Sequence, residues 1–338
     1  MDFKNTIKFI KRDILSNNTN NFCAMSSIKY IVKLLTLYNS LNNNSKDKFT
    51  LWTLCIDDTC FDVLNEMNLK NLKLIKLEEL EDERLLEIKE DRQENEYCWT
   101  LKSCLMEYIL NEYSVPSIVY CDSDLYFFED CSSIFEKLQR YSIYLTPQRD
   151  LDWVENKCGK YQAGLIGFKK DKEGLEALKW WKEQCLDWCY KIYDLENERW
   201  GDQKYLDKIP ELFKNYVVET DFGINAAPWN SIYSKTYSLQ EIKGKPYIKE
   251  DNVKVFHFAC IEIFSQNKFD LWTMDKLEIN NMQLRTLYIP YIEQLQKSIN
   301  QILDVYPKFK DYLLAGEGNS ISNAKTLFEY NKRRRVKI

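Results

Sequence analysis

The run Ser117-Ile-Val-Tyr-Cys-Asp-Ser-Asp124 most constrains the fold. Ser117 to Tyr120 follow the punctuating Pro116 and are apolar and β-branched, so they read as a buried strand. Two carboxylates, Asp122 and Asp124, stand one residue apart at its carboxyl end. In an open α/β sheet, ligands bind in the crevice beyond the strand ends, where these carboxylates fall. A strand running into Asp-x-Asp suggests a hard divalent cation held by oxygen ligands, with a phosphate-bearing substrate on its far side. Taken alone the pattern is weak, because Asp-x-Asp arises often by chance and also describes a strand followed by a polar turn.

Around this run, strand and helix signals alternate, the signature of an α/β protein with a mainly parallel sheet flanked by helices. Upstream, Phe22 to Met25 read as a strand, with Ser26 or Ser27 placed to cap a helix ending near Leu41. Phe49 to Ile56 form a second strand, Phe61 to Met67 a helix, and Leu72 to Leu77 a third strand. The acidic run Glu78 to Glu83 opens a helix, where negative charge suits the dipole, and another helix covers Glu96 to Leu110. Downstream come a strand over Ser142 to Thr146, a polar loop from Gln148 to Lys160 that reads as a flap, and a strand over Gln162 to Phe168. A long helix is expected from Lys172 to Leu195, then a short one opened by Gly201-Asp-Gln203. Val217-Val218, Tyr237 to Leu239 and Val253 to Phe258 read as shorter strands. From about Leu277 the chain turns helical, interrupted by Pro290, with Tyr291, Leu295, Ile299 and Ile302 at helical spacing.

Charge separates body from tail. The net charge is -5, but five of the 47 basic residues lie in 332–337, which leaves 42 against 52 acidic residues, or -10, for 1–331. An acidic body argues against nucleic acid as a partner. The basic tail, or an amphipathic helix expected over residues 3–15, offers a peripheral contact with anionic lipid, and both are equally consistent with plain solvation or docking. Eleven cysteines without a Cys-x-x-Cys pair, and no apolar leader at the start, point to a reducing, cytoplasmic setting.

The chain has one histidine, His257, at the end of the apolar run Val253-Lys-Val-Phe-His-Phe258. A lone histidine is often a hydrogen-bonded core residue, yet neutral imidazole is also a common transition-metal ligand. Two aspartates and one histidine would suit Mn²⁺ (or Mg²⁺), leaving positions for two phosphate oxygens.

Six segments in order carry a resemblance: Trp99-Thr-Leu-Lys102, Val119-Tyr-Cys-Asp-Ser-Asp124, Gln162-Ala-Gly-Leu-Ile-Gly-Phe168, Gly201-Asp-Gln-Lys-Tyr-Leu206, Asn225-Ala-Ala-Pro-Trp-Asn230 and Val255-Phe-His-Phe258. The chain resembles GT-A fold glycosyltransferases. It is similar to the family of glycogenin and bacterial lipopolysaccharide galactosyltransferases (glycosyltransferase family eight), and closer still to nucleotide-diphospho-sugar transferases of surface-polysaccharide clusters. The resemblance implies a Rossmann-like GT-A domain over 19–270, preceded by the helix in 1–18 and followed by a helical extension over 271–330 and the tail in 331–338. It implies a nucleotide-diphosphate sugar donor, UDP-linked, and a glycan, lipid-linked or protein acceptor. Asp122, Asp124 and His257 would hold the metal, with Asp122 sharing it or contacting the ribose. Asp202 and Gln203 would lie beside the donor sugar. Gln162 and Gly164 match the segment that closes on the sugar, with Gln162 where the family has Asn. Ala24, Ser26 and Asp57 fall at the nucleoside edge, where Ser26 and Asp57 have capping and turn roles as alternatives.

The family's histidine motif continues with Gly and then Lys-Pro, which touches the diphosphate; this chain has Cys260 and Ile263 there. A diphosphate-binding lysine must then be another, Lys102 or Lys268. The resemblance favours retention of anomeric configuration, while Asp150 or Asp152 in the flap could serve as the base of an inverting enzyme. A non-catalytic sugar-nucleotide-binding relative and an Asp-x-Asp phosphatase remain as alternatives.

Overall fold

The computed structural model describes residues 19–232, 237–274, 278–314 and 323–330. The expected N-terminal helix and the basic tail lie outside these.

The first half winds as the alternation implies. β1 (Asn20–Ser26) pairs in parallel with β2 (Phe49–Cys55) in unbroken register from Asn20↔Phe49 to Ser26↔Cys55. Between them runs α1 (Ile31–Asn44), and after β2 come α2 (Asp58–Met67) and β3 (Leu72–Lys76), which extends the parallel edge. α3 (Glu94–Glu112) leads into β4 (Ser117–Cys121), parallel to β1 on its other side. β5 (Leu125–Phe127) leaves the sheet. The main sheet continues with β6 (Ile143–Pro147), β7 (Tyr161–Lys169) and β8 (Tyr216–Val218), in the order β3-β2-β1-β4-β7-β6-β8. β7 is antiparallel to both β4 and β6, so the seven-stranded sheet is mixed and mainly parallel.

Strands apolar on both faces require a cover on each. One core layer joins α1 to the C-terminal helix α6 (Ile289–Val305), with Tyr291, Leu295, Ile299 and Ile302 fully buried at the expected spacing. The other layer joins α3 to α5 (Lys172–Asp187) around Trp181 and Phe168, whose rings stack 6.1 Å apart. The C-terminal region also returns a strand, Leu327–Glu329, paired with Lys268–Asp270.

Several boundaries differ from expectation, each for a tertiary reason. α5 stops at Asp187, because the Arg92 guanidinium takes the carbonyls of Cys185 at 2.7 Å and Leu186 at 2.9 Å, and Trp188 turns extended. The flap is not all loop: α4 (Asp152–Cys158) forms within it, and its base is closed by Gln148 N–H donating to the Lys160 carbonyl at 2.8 Å. The helix expected to open on the acidic run is two short helices, Leu77–Leu80 and Glu83–Asp91, the second capped by Asp82. Pro290 does not interrupt its helix. It sits in the first turn of α6 after a π-helical turn, Leu284–Tyr288, a wider turn that accommodates the missing N–H. Neither Ser26 nor Ser27 caps α1; Tyr30 stands at that position without a side-chain cap.

Candidate metal centre and its cavity

The end of β4 is fixed by β7. Asp122 N–H donates to the Gly164 carbonyl at 2.8 Å, and the chain then turns, with Leu125 N–H bonded to the Asp122 carbonyl at 3.1 Å. β5 emerges from this turn and pairs antiparallel with the strand Val255–His257, in the register Val255↔Phe127 to His257↔Leu125. That register sets the only imidazole beside the turn, and Phe258 N–H donating to the Asp124 carbonyl at 2.9 Å locks it. Phe258 in turn stacks on Tyr291 of α6, with ring centroids 3.9 Å apart and planes within 2°.

The result is a three-residue cluster. His257 Nε2 lies 3.0 Å from Asp124 Oδ1 and 3.9 Å from Asp122 Oδ2, and one ligand atom from each residue falls within 4.8 Å of the others. Two carboxylates and an imidazole form a donor set suited to Mn²⁺ or a similar divalent cation. A further observation fits a bound ion. A Cβ on Gly164 would come within 2.6 Å of Asp122 Oδ2 and 2.9 Å of His257 Cε1, so bare backbone is needed where the ligands converge.

Two lysines balance the acids. Lys102 of α3 places its ammonium 3.1 Å from Asp122 Oδ1 and 3.3 Å from Asp202 Oδ2, over the Tyr120 ring. Lys33 of α1 stands 3.9 Å from Asp124 Oδ2. Burial works against the charge of Asp124, but His257 and Lys33 outweigh it and hold that carboxyl below the usual range. Burial likewise opposes a charged His257, and Asp124 reverses this, raising the imidazole above its ordinary value. Asp202 is raised, chiefly by burial, with Lys102 countering and Asp122 adding to it.

Around the cluster opens a cavity of about 530 Å³, a volume suited to a small organic ligand. Its lining includes Ser26, Tyr30, Lys33, Lys102, Asp122 and His257. Asp202 is buried just behind Lys102, its carbonyl held by the Trp181 indole N–H at 2.8 Å. Gln203 joins two elements, its amide donating to the Cys158 carbonyl at 3.2 Å and accepting from Ala163 N–H at 3.3 Å. Gln162 is buried and donates to Gln148 Oε1 at 2.5 Å, which Gln203 also reaches.

Other sequence-predicted residues are placed elsewhere. Ala24 is fully buried inside β1. Asp57 gives one oxygen to Cys60 N–H, capping α2, and the other to Ile28 N–H, so it ties the turns after β1 and β2 together. Lys268 lies in the strand paired with Leu327–Glu329, and Asp150 and Asp152 sit at the flap; none of these lines the cavity. The segment Asn225 to Asn230 braces the flap, with Trp229 Nε1 and Asn230 Nδ2 both donating to the Gln148 carbonyl at 3.0 Å. Sequence reasoning missed Lys33 and Tyr30; the available signal was a lysine in the first turn of a helix directly after the first strand.

No family model matches the chain. The uncharacterized protein YfnD of Bacillus subtilis (strain 168) is 30% identical over 299 residues, covering 87% of this chain and 94% of YfnD. The uncharacterized protein YfnF of the same organism is 30% identical over 306 residues, covering 87% of this chain and 97% of YfnF. Among solved structures, the galactosyltransferase LgtC in complex with donor and acceptor sugar analogues superposes with a TM-score of 0.51 at 12% identity, over 82% of this chain and 95% of that one. The glycosyltransferase GlyE of Streptococcus pneumoniae TIGR4 gives a TM-score of 0.50 at 17% identity, over 88% of this chain and 64% of that one. At such identities the likeness is one of fold, and the fold is GT-A.

Proposed function

This chain belongs to the family of the Bacillus subtilis proteins YfnD and YfnF, and we propose that it is a metal-dependent glycosyltransferase, moving a sugar from a nucleotide-diphosphate sugar to an acceptor hydroxyl. The observation that carries the reading is the convergence of Asp122, Asp124 and His257 at the mouth of the cavity, on a GT-A sheet. LgtC, which shares the fold, has been seen with donor and acceptor sugar analogues, which supports a sugar nucleotide and a glycan as the two substrates.

Asp122, Asp124 and His257 would hold the cation, Mn²⁺ or Mg²⁺, which would supply positive charge for the diphosphate leaving group. Lys102 keeps Asp122 oriented and carries charge between it and Asp202. Asp202, buried behind Lys102, and Gln203 would stand beside the donor sugar, and the bare backbone at Gly164 would let the sugar approach the ligands. Retention of configuration is the preferred course, with the acceptor a surface glycan, a lipid-linked sugar or a protein. All eleven cysteines are free, which supports a cytoplasmic setting. No described helix is long and apolar enough to cross a membrane.

The test is Mn²⁺-dependent turnover of a panel of nucleotide sugars, including slow hydrolysis to water, by the wild-type protein and Asp124→Ala. Loss of turnover in the variant and on chelation is expected. A wild-type protein that neither turns over nor binds any nucleotide sugar with Mn²⁺ present overturns the reading. Product stereochemistry by NMR decides retention against inversion.

A further inference from the structure

Lys33 sits where a lysine is locally unfavourable. It is the third residue of α1, a helix with no acidic residue in its first turn and no side-chain cap, so its charge faces the positive end of the helix dipole. It is also 9% exposed, and burying an ammonium is costly unless its donors are used. Among the described residues the ammonium makes no hydrogen bond. Its nearest acid is Asp124 at 3.9 Å, and it lies 5.6 Å from the centroid of the Tyr30 ring. Glu262 faces it as well and feels its charge without pairing with it. Its three N–H donors thus stand on the cavity wall with no described acceptor within hydrogen-bond distance.

A charge count says what they are for. Once a divalent cation is held by Asp122 and Asp124, those two carboxylates are neutralised. Lys102 remains matched by Asp202, and Glu94 at the rim is within 3.8 Å of Lys29. Among the described residues lining the cavity, Lys33 is then the cation left over: Asp124 has been taken by the metal, and Glu262 lies outside the lining. The cavity therefore keeps one buried positive charge with free N–H donors beside the metal position, a match for a phosphate oxygen. We propose that Lys33 binds the diphosphate of the donor directly, supplying from the helix after the first strand the positive charge that Cys260 and Ile263 do not supply after the histidine. This rests on the glycosyltransferase reading above.

The test is calorimetric binding of UDP, GDP, CDP and dTDP, and of the matching nucleosides, with saturating Mn²⁺, to the wild-type protein, Lys33→Met and Lys33→Arg, with Mn²⁺ alone titrated separately. Lys33→Met keeps the apolar stem and removes a buried charge, so folding is retained; melting temperature checks this, and Lys33→Arg provides a second, charged variant. The expected result is a loss of roughly tenfold or more in diphosphate affinity for Lys33→Met, partial recovery in Lys33→Arg, unchanged nucleoside binding, and Mn²⁺ binding as tight as wild type or tighter. Diphosphate affinity within about twofold of wild type in Lys33→Met, or a parallel loss of Mn²⁺ affinity, overturns the direct contact. Should Lys33→Met not fold, Lys33→Arg carries the test: diphosphate affinity below wild type with nucleoside and Mn²⁺ binding unchanged supports the contact, and an intact fold with unchanged diphosphate affinity, or with affinity lost together with Mn²⁺ binding, overturns it. Failure of the wild-type protein to bind any of the nucleoside diphosphates instead defeats the glycosyltransferase reading itself.

Discussion

Asp122 N–H donates to the Gly164 carbonyl at 2.8 Å, and a Cβ on that glycine would fall 2.6 Å from the same aspartate's Oδ2. One residue thus fixes the backbone of a candidate metal ligand and leaves room for its side chain. Gly164→Ala should keep the fold and lose the site. We expect at least a tenfold weaker Mn²⁺ affinity, about 1.4 kcal/mol, because Asp122 must swing away. Equal Mn²⁺ titrations for variant and wild type would show that Asp122 is not a ligand.

Mn²⁺ should raise the melting temperature of the wild-type protein in a concentration-dependent way, corresponding to about 2.7 kcal/mol at a hundredfold excess over Kd, with EDTA reversing it. Asp124→Ala and His257→Ala should each erase that shift. A shift retained in His257→Ala would place the cation on the carboxylates alone.

Glu219 gives the fold a pH dependence separate from the metal. Burial pushes its carboxyl upward, but Lys137 at 2.5 Å, Tyr144 at 2.6 Å and backbone N–H groups more than offset this and hold it below its ordinary 4.5. A depressed folded pKa contributes stability above the unfolded value and loses it as pH falls through the folded one. The Glu219 contribution to the urea midpoint should therefore be constant above about pH 5.5 and be lost below about 4.5. Glu219→Gln should be less stable at pH 7 by about 2 kcal/mol, with a shallower acid limb. Parallel acid limbs in the two proteins would exclude this carboxylate as a source.

Arg92→Leu should destabilise by about 2–3 kcal/mol, since it frees the two terminal carbonyls of α5 inside a buried layer. Urea unfolding checks the magnitude. Increased hydrogen exchange at the end of α5, with α1 unaffected, would locate the effect.

Local signals made much of this legible. Apolar runs marked β1, β2 and β4, with β-branched residues in β4, and helical spacing marked the buried face of α6. What escaped was set by partners far along the chain. Lys172 to Leu195 remains helix-forming in composition, but Arg92 ends α5 from the opposite side of the layer. Pro290 looks like a break because spacing does not encode a preceding π turn. Asp57, at a strand end, reads equally as a nucleoside contact or a cap, and only the positions of Ile28 and Cys60 show both its oxygens in use. His257 entered as a lone histidine; the β5 pairing that delivers it spans more than a hundred residues and leaves no periodic trace.

The Phe258–Tyr291 stack makes the last long helix a structural dependency of the metal cluster. The strand carrying His257 lies in a two-stranded ribbon outside the main sheet, held on its other side by the Ala226 backbone, and α6 backs it with an aromatic ring. A C-terminal truncation before Ile289 would therefore remove none of the three clustered side chains and still strip the packing from behind the imidazole's strand.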